Sequence, residues 1–337
     1  MFSMSEDASA SDPVFQPAWW LRGAHMQTLW GRLTRSRRVV SFRREVLPTP
    51  DGDELILDHL DGPPSGTHFI LVHGLEGSSY SVYMQGLLTR VASHGHTATV
   101  MNFRYCARDP QNVLVPIPNR RPRLYHSGET SDLDLVIRTM AGRLPGVRLV
   151  GVGISLGGNV LLKWLGEQGG ESLITAAATI SSPFDLAAGA RFLETRIGRL
   201  YTETFLRSLR RKALDVASRF EEAAALIDVD ATRKSRTIWQ FDDAATAPLH
   251  GFTGAADYYA RSSSKEYVGK IEVPTLCISA EDDPLVPGFT IPPARAAASR
   301  NVRFVATKMG GHVGFVSSVG SLRCRYWAEE TAVDWVV

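Results

Sequence analysis

Hydrophobic positions along the chain fall into two regimes. The first is short apolar runs of strand length, at residues 68–73, 97–103, 147–154, 173–181, 273–280 and 302–307. They show no clear period-two gaps, as expected for strands buried on both faces of a parallel sheet. Helical spacing recurs between them, at residues 82–94, 131–144, from 155 through Gln168, and at about 322–336. Thr130, Ser131 and Asp132 offer cap-like residues where the second of these begins. Residues 39–47 and 54–60 alternate well enough to form a strand pair, and Asp51-Gly52 between them is a hairpin signal.

The second regime begins after Pro183. Residues 185–262 hold no convincing core strand and instead read as charged helices over 192–211, 213–226 and 252–260. A helical insertion of this length between two parallel strands predicts a cap over one end of the sheet. The expected organisation is an N-terminal extension (1–37), a core (38–183 and 263–337) and a helical cap (184–262). Residues 1–13 read as a disordered leader, and the aromatic stretch 15–33 as a short helix and loops lying over the body. The fold class is α/β: a mostly parallel central sheet, helices on both faces, and a cap insertion.

Composition narrows the function. A net charge of +2 in 337 residues creates no field for nucleic acid. Basic residues cluster at 32–44 and 207–212, which reads first as solvated helix surface. Contact with a lipid surface finds no long amphipathic stripe to support it. Three cysteines, Cys106, Cys277 and Cys324, argue against a disulfide framework and for a reducing compartment, with Cys277 a buried core thiol. No secretory leader pattern and no run of about 18 apolar residues occurs, so the expected location is cytoplasmic.

The chemistry concentrates at Gly153-Ile154-Ser155-Leu156-Gly157. A G-x-S-x-G pentapeptide arises by chance in roughly one chain in ten of this length, so its context decides. It follows an apolar strand and opens a helix, which is the setting of a nucleophile elbow. A dinucleotide fingerprint is excluded because Leu156 stands where the third glycine of G-x-G-x-x-G belongs. A serine hydroxyl needs a base, and only His250 and His312 follow Ser155 among nine histidines. His312, in a glycine-rich loop just after a strand, is the candidate base; His250 lies in the insertion and reads as a cap or pocket residue. Of Asp282 and Asp283, the Asp-x-x-Val-Pro spacing selects Asp283 as the acid that orients the imidazole and leaves Asp282 as a turn former. Backbone N–H groups of Leu75, in the loop His73-Gly74-Leu75-Glu76-Gly77, and of Leu156 are the candidate oxyanion donors. Neither a metal nor a cofactor is expected, since no ligand motif or phosphate-cradling loop occurs.

Several segments together resemble the YheT-like esterases, a group of α/β-hydrolases. They are Trp20 to Leu29, His73 to Ser78, Leu124 to Thr130, Gly153 to Asn159 and Phe241 to Phe252. The resemblance runs from about Pro17 to the C-terminus and implies the α/β-hydrolase fold. It also implies Ser155, Asp283 and His312 as a triad, and hydrolysis of acyl esters, lipid or medium-chain. One turn departs from the pattern: where the family carries an Arg-Gly-Cys-Ser-Gly-like sequence, this chain has Arg104-Tyr105-Cys106-Ala107-Arg108 and a longer loop through Asn119. That loop should flank the pocket. Cap aromatics Phe192, Tyr201, Phe205, Trp239, Phe252 and Tyr258 are expected to line an apolar site. An acyltransferase with the same triad, and more remotely a non-catalytic scaffold, are the competing functions; a small-molecule or lipid ester is the expected partner.

Overall fold

The computed structural model describes residues 14–63, 66–319 and 323–337. The expected leader at 1–13 therefore lies outside the described residues. Eight strands form one sheet: β1 (Arg43–Pro48), β2 (Glu54–Leu60), β3 (Thr67–Val72), β4 (Thr97–Asn102), β5 (Arg148–Ile154), β6 (Ala176–Ile180), β7 (Thr275–Ala280) and β8 (Val302–Thr307). Their order is β1-β2-β4-β3-β5-β6-β7-β8. β1 and β2 pair antiparallel, as do β2 and β4, and every other pairing is parallel. Gly52 turns the β1–β2 hairpin in the left-handed region (φ 77°), the conformation that hairpin signal requires.

The two faces explain the continuous apolar runs. In β3, Ile70 and Val72 face a core built with helices Ser131–Arg143 and Leu156–Gln168, whereas Phe69 and Leu71 face the opposite core. That second core is closed by helices Val82–Ser93 and Trp327–Val336. Alternation persists, but both sets of positions are apolar because neither face meets water.

Between β6 and β7 the chain is helical among the described residues, with its longest helix at Arg196–Arg219. Leu206, Ala213 and Val216 of that helix bury a separate cluster with Phe241, Tyr105 and Leu124. The expected break near residue 212 is absent because this buried stripe runs unbroken through it. Short helices Val229–Lys234 and Ile238–Phe241, and a π-helical turn at Asp242–Thr246, carry no sequence signal of their own.

Other boundaries also move. The first strand begins at Arg43 rather than 39, since the N–H groups of Val39 and Val40 donate to the Gln85 side-chain oxygen at 2.8 and 2.9 Å instead of to a neighbouring strand. The last helix begins at Trp327. It is preceded by a hairpin, β9 (Val316–Val319) with β10 (Arg323–Tyr326), whose polar residues hid it. The aromatic N-terminal stretch docks through Phe15 on Phe315 and Trp327 and contributes helix Ala24–Thr34.

Helix Leu156–Gln168 crosses the sheet so closely that a Cβ at Gly157 would lie 2.4 Å from the carbonyl oxygens of Val72 and His73. Backbone cannot yield there as a side-chain tip can. Gly157→Ala is expected to cost several kcal/mol and lower Tm strongly, in line with overpacking of a close-packed core. Gly142→Ala, at an open helical position with nothing within 4 Å, should be neutral or stabilising by up to ~1 kcal/mol. Thermal melts of the two variants check both expectations; equal losses would show that the close crossing is not what makes Gly157 critical.

Candidate active site

Ser155 joins β5 to helix Leu156–Gln168 in a left-handed conformation (φ 53°, ψ −121°) that a serine adopts only under constraint. The constraint is visible: its N–H donates to Ile180 of β6 at 2.8 Å, and a Cβ at Gly153 would meet the backbone of Gly157 and Gly158 at 2.6–2.8 Å. The hydroxyl is thereby projected from the carboxyl edge of the sheet, where His312 reaches it. His312 Nε2 lies 3.0 Å from Ser155 Oγ, and His312 Nδ1 lies 2.8 Å from Asp283 Oδ2. Asp283 is 4% exposed, and its other oxygen accepts from the N–H groups of Leu285 and Val286 at 2.8 and 3.0 Å. Three residues drawn from loops after β5, β7 and β8 thus form one hydrogen-bonded line.

The histidine loop is pinned by partners that the sequence did not mark for this role. The His312 N–H donates to Thr28 Oγ1 (2.9 Å), the Gly311 N–H to Asp282 Oδ1 (2.9 Å), and the Val313 N–H to Ser181 Oγ (3.1 Å). Asp282, read from sequence as a turn former, is therefore a tie to the histidine loop. Thr28 lay within a segment singled out by resemblance; Ser181 had no signal at all.

The loop after β3 is held just as firmly. His73 donates from Nδ1 to the Gly74 carbonyl (2.8 Å) and accepts from the Phe103 N–H at Nε2 (3.1 Å). Burial lowers its pKa to about 4, so this single neutral tautomer persists at neutral pH. Leu75 and Leu156 border the same cavity as Ser155 and His312. Glu76, next to Leu75, sits at φ 56° and sends its carboxylate inward to Lys212 Nζ (2.7 Å), the Tyr125 hydroxyl (2.8 Å) and the Ser208 hydroxyl. Burial alone would raise the Glu76 pKa, and the Lys212 ammonium outweighs it and holds the group below the usual range. Lys212 is 1% exposed. It is no part of a solvated basic face, and it links the longest insertion helix to the Leu75 loop.

The cavity holding Ser155 has a volume of about 140 Å³ and is largely apolar. Phe205 and Tyr258 reach it, as expected, while Trp239 and Phe252 pack within the insertion's own cluster and Phe192 borders a different cavity. Its wall also includes His126, His250 and Asp242. Burial lowers His126 to about 4 and pushes Asp242 up to about 6, even though Thr246 and Tyr259 each donate to that carboxyl at 2.6 Å. On the other side of the site, the loop after β4 contributes Arg108 and Val113 to a second cavity, so it does flank Ser155.

The alpha/beta hydrolase fold family matches residues 67–319. YheT of Escherichia coli (strain K12), provisionally named an esterase, is 32% identical over 97% of this chain and 94% of its own length. Phospholipase ABHD3 of Mus musculus is 30% identical over 93% of this chain and 76% of its own. Among solved structures, the esterase EaEST from Exiguobacterium antarcticum superposes with a TM-score of 0.53 at 16% identity, covering 87% of this chain and 99% of that one. Among the described residues, no helix is long and apolar enough to cross a membrane.

Two predictions follow from the buried charges. Lys212→Met strands the Glu76 carboxylate and should cost ~3–5 kcal/mol. Adding Glu76→Gln should recover much of that loss, which a double-mutant cycle in urea would measure. A double variant that loses the sum of the two single losses would show that the two groups act independently. Asp242 stays protonated to about pH 6 when folded, whereas its ordinary value is 3.8. Between those values the folded state binds the extra proton, so this group's contribution to stability falls as pH rises. Relative to wild type, Asp242→Asn should therefore gain stability from pH 4 to 6, at up to ~1.4 kcal/mol per unit, and hold a constant offset above. Parallel stability curves for the two proteins would contradict the raised pKa.

Proposed function

The chain belongs to the α/β-hydrolase family, within its YheT-like group, and from that premise we propose that it is a serine carboxylic ester hydrolase acting through an acyl-enzyme on Ser155. The observation that carries the proposal is the line Ser155–His312–Asp283, with contacts of 3.0 and 2.8 Å, ending on a serine in left-handed geometry. His312 Nε2 takes the hydroxyl proton as Ser155 Oγ attacks the ester carbonyl. Asp283 holds the proton on Nδ1 and stabilises the imidazolium without taking the proton. Charge gathers on the former carbonyl oxygen, and the N–H groups of Leu75 and Leu156 are its proposed donors. When the tetrahedral intermediate collapses, the bond to the alcohol oxygen breaks and the imidazolium returns its proton to that leaving group. Water then repeats the sequence with His312 as base, releasing the acid and free serine.

In this reading residues 184–262 act as a cap that closes the apolar cavity over the acyl limb, and the remaining strands and helices are the catalytic core. Loss of a donor such as the Leu75 N–H would typically cost about 10²–10³ in rate, so the firmness of its loop matters. The esterase, phospholipase and lipase names of the relatives support an ester substrate with an apolar acyl group.

Hydrolysis of p-nitrophenyl esters from acetate to palmitate, wild type beside Ser155→Ala, tests the proposal. Wild type should turn over with an optimum at one chain length, and Ser155→Ala should lose about 10⁴-fold or more in kcat/KM. A fluorophosphonate should label the wild type stoichiometrically at Ser155 and leave the variant unlabelled. Ester turnover that survives in Ser155→Ala would overturn the assignment.

A further inference from the structure

Ser155 borders two cavities that differ in the charge of their walls. One, of about 140 Å³, is the largely apolar chamber already described. The other, of about 300 Å³, also contains Ser155, His312 and Leu75, but its wall carries Arg32, Arg35, Arg37 and Arg108. An ester has two limbs that diverge from its carbonyl, and the hydroxyl that attacks it lies where these two spaces meet.

The charges in the second cavity do not cancel. Among the described residues its one wall carboxylate is Glu76, which is occupied by Lys212, Tyr125 and Ser208. Arg35 is committed to Glu329 through two hydrogen bonds of 2.6 and 2.9 Å. Among the described residues the Arg108 guanidinium donates only to the Glu76 carbonyl oxygen, at 3.1 Å, and Arg32 and Arg37 have no ion pair. Desolvation, with the like charges of Arg32 and Arg108, depresses the Arg37 pKa, so these guanidinium groups stand near enough to repel one another. Like charges left together at the mouth of a cavity are stabilised by an anion. Guanidinium groups match a phosphate in shape as well as charge.

We propose that this second cavity is an anion subsite, and that the preferred substrates are acyl esters whose alcohol limb bears a phosphate and carries net negative charge. This rests on the ester-hydrolase reading. The acyl chain enters the apolar chamber, and the phosphate meets Arg32, Arg37 and Arg108. With no free carboxylate among the described residues of the wall to receive an ammonium, the subsite favours a net anionic limb over a zwitterionic one. The leaving alcohol departs through the basic cavity, away from the acyl-enzyme.

The test compares kcat/KM for 1-octanoylglycerol and for 1-octanoylglycerol 3-phosphate, in wild type, Ser155→Ala and an Arg32→Gln/Arg37→Gln double variant. Wild type should prefer the phosphorylated ester by at least about tenfold, the effect of one charge-assisted contact that survives solvent screening. The preference should shrink by a similar factor in the double variant and with added salt. Because both arginines are exposed, the change should not unfold the chain, and circular dichroism checks this. Glycerol 3-phosphate should inhibit hydrolysis of the neutral ester competitively, and glycerol should not; equal inhibition by inorganic phosphate would assign the subsite to the phosphate alone rather than to the whole alcohol limb. Serine-dependent hydrolysis of both esters at equal efficiency, or a preference untouched by the double variant, would overturn the subsite and leave the esterase standing. Absence of serine-dependent turnover of any ester would overturn both.

Discussion

The constraint on which the rest depends is the contact between the first turn of helix Leu156–Gln168 and the ends of β3 and β5. There is no room for even one methyl group there: added Cβ atoms at Gly153 and Gly157 would sit within 2.4–2.8 Å of backbone. That approach forces the chain to reverse at Ser155 in the left-handed region, at a cost of order 1–3 kcal/mol. The sheet meets this cost with two apolar cores, one on each face, which anchor β3 and β5 so that the turn cannot relax. A serine on a softer turn would move away from His312, and in the proposed mechanism a displacement of about 1 Å would lose about two orders of magnitude in rate.

Around this rigid point the other groups arrive on loops, and each loop is held by something distant in sequence. His312 is tied to Thr28 near the N-terminus and, through its neighbours, to Asp282 and Ser181. The Leu75 loop is tied through Glu76 to Lys212 of the insertion helix. A buried lysine–carboxylate pair is a poor way to gain stability but a sound way to specify one arrangement. Here the arrangement it specifies is the seating of the helical insertion relative to a proposed oxyanion donor. In the proposed mechanism the insertion therefore bears on catalytic geometry as well as on the shape of the chamber.

The two cavities extend the same logic to substrate choice. A fully apolar site would discriminate only by chain length, since each methylene is worth about 0.8 kcal/mol. Under the proposed reading, an apolar chamber on one side of Ser155 and an arginine-bearing cavity on the other would distinguish the two limbs of an ester and so orient it before reaction. Orientation of this kind accounts for much of what enzymes add to a serine and an imidazole.

The strands, the helices on each face and the three residues that the fold brings into one hydrogen-bonded line, Ser155, Asp283 and His312, were legible in the sequence because each rests on local pattern. An apolar run before G-x-S-x-G, a glycine-flanked histidine after a strand and an aspartate opening a loop are short-range signals of backbone geometry and chain order. Tertiary structure alone decided what depends on long-range pairing. No local pattern told that Val39 and Val40 would hydrogen-bond to Gln85, that helix Arg196–Arg219 would run on through a buried Lys212, or that Thr28 and Ser181 would hold the histidine loop. Lys212 is the clearest case. A lysine in a basic run belongs to the solvent by composition, and it became a core residue only because a carboxylate 136 positions away was folded against it. The sequence carries both charges; only the fold can bring them within 2.7 Å and exclude water from between them.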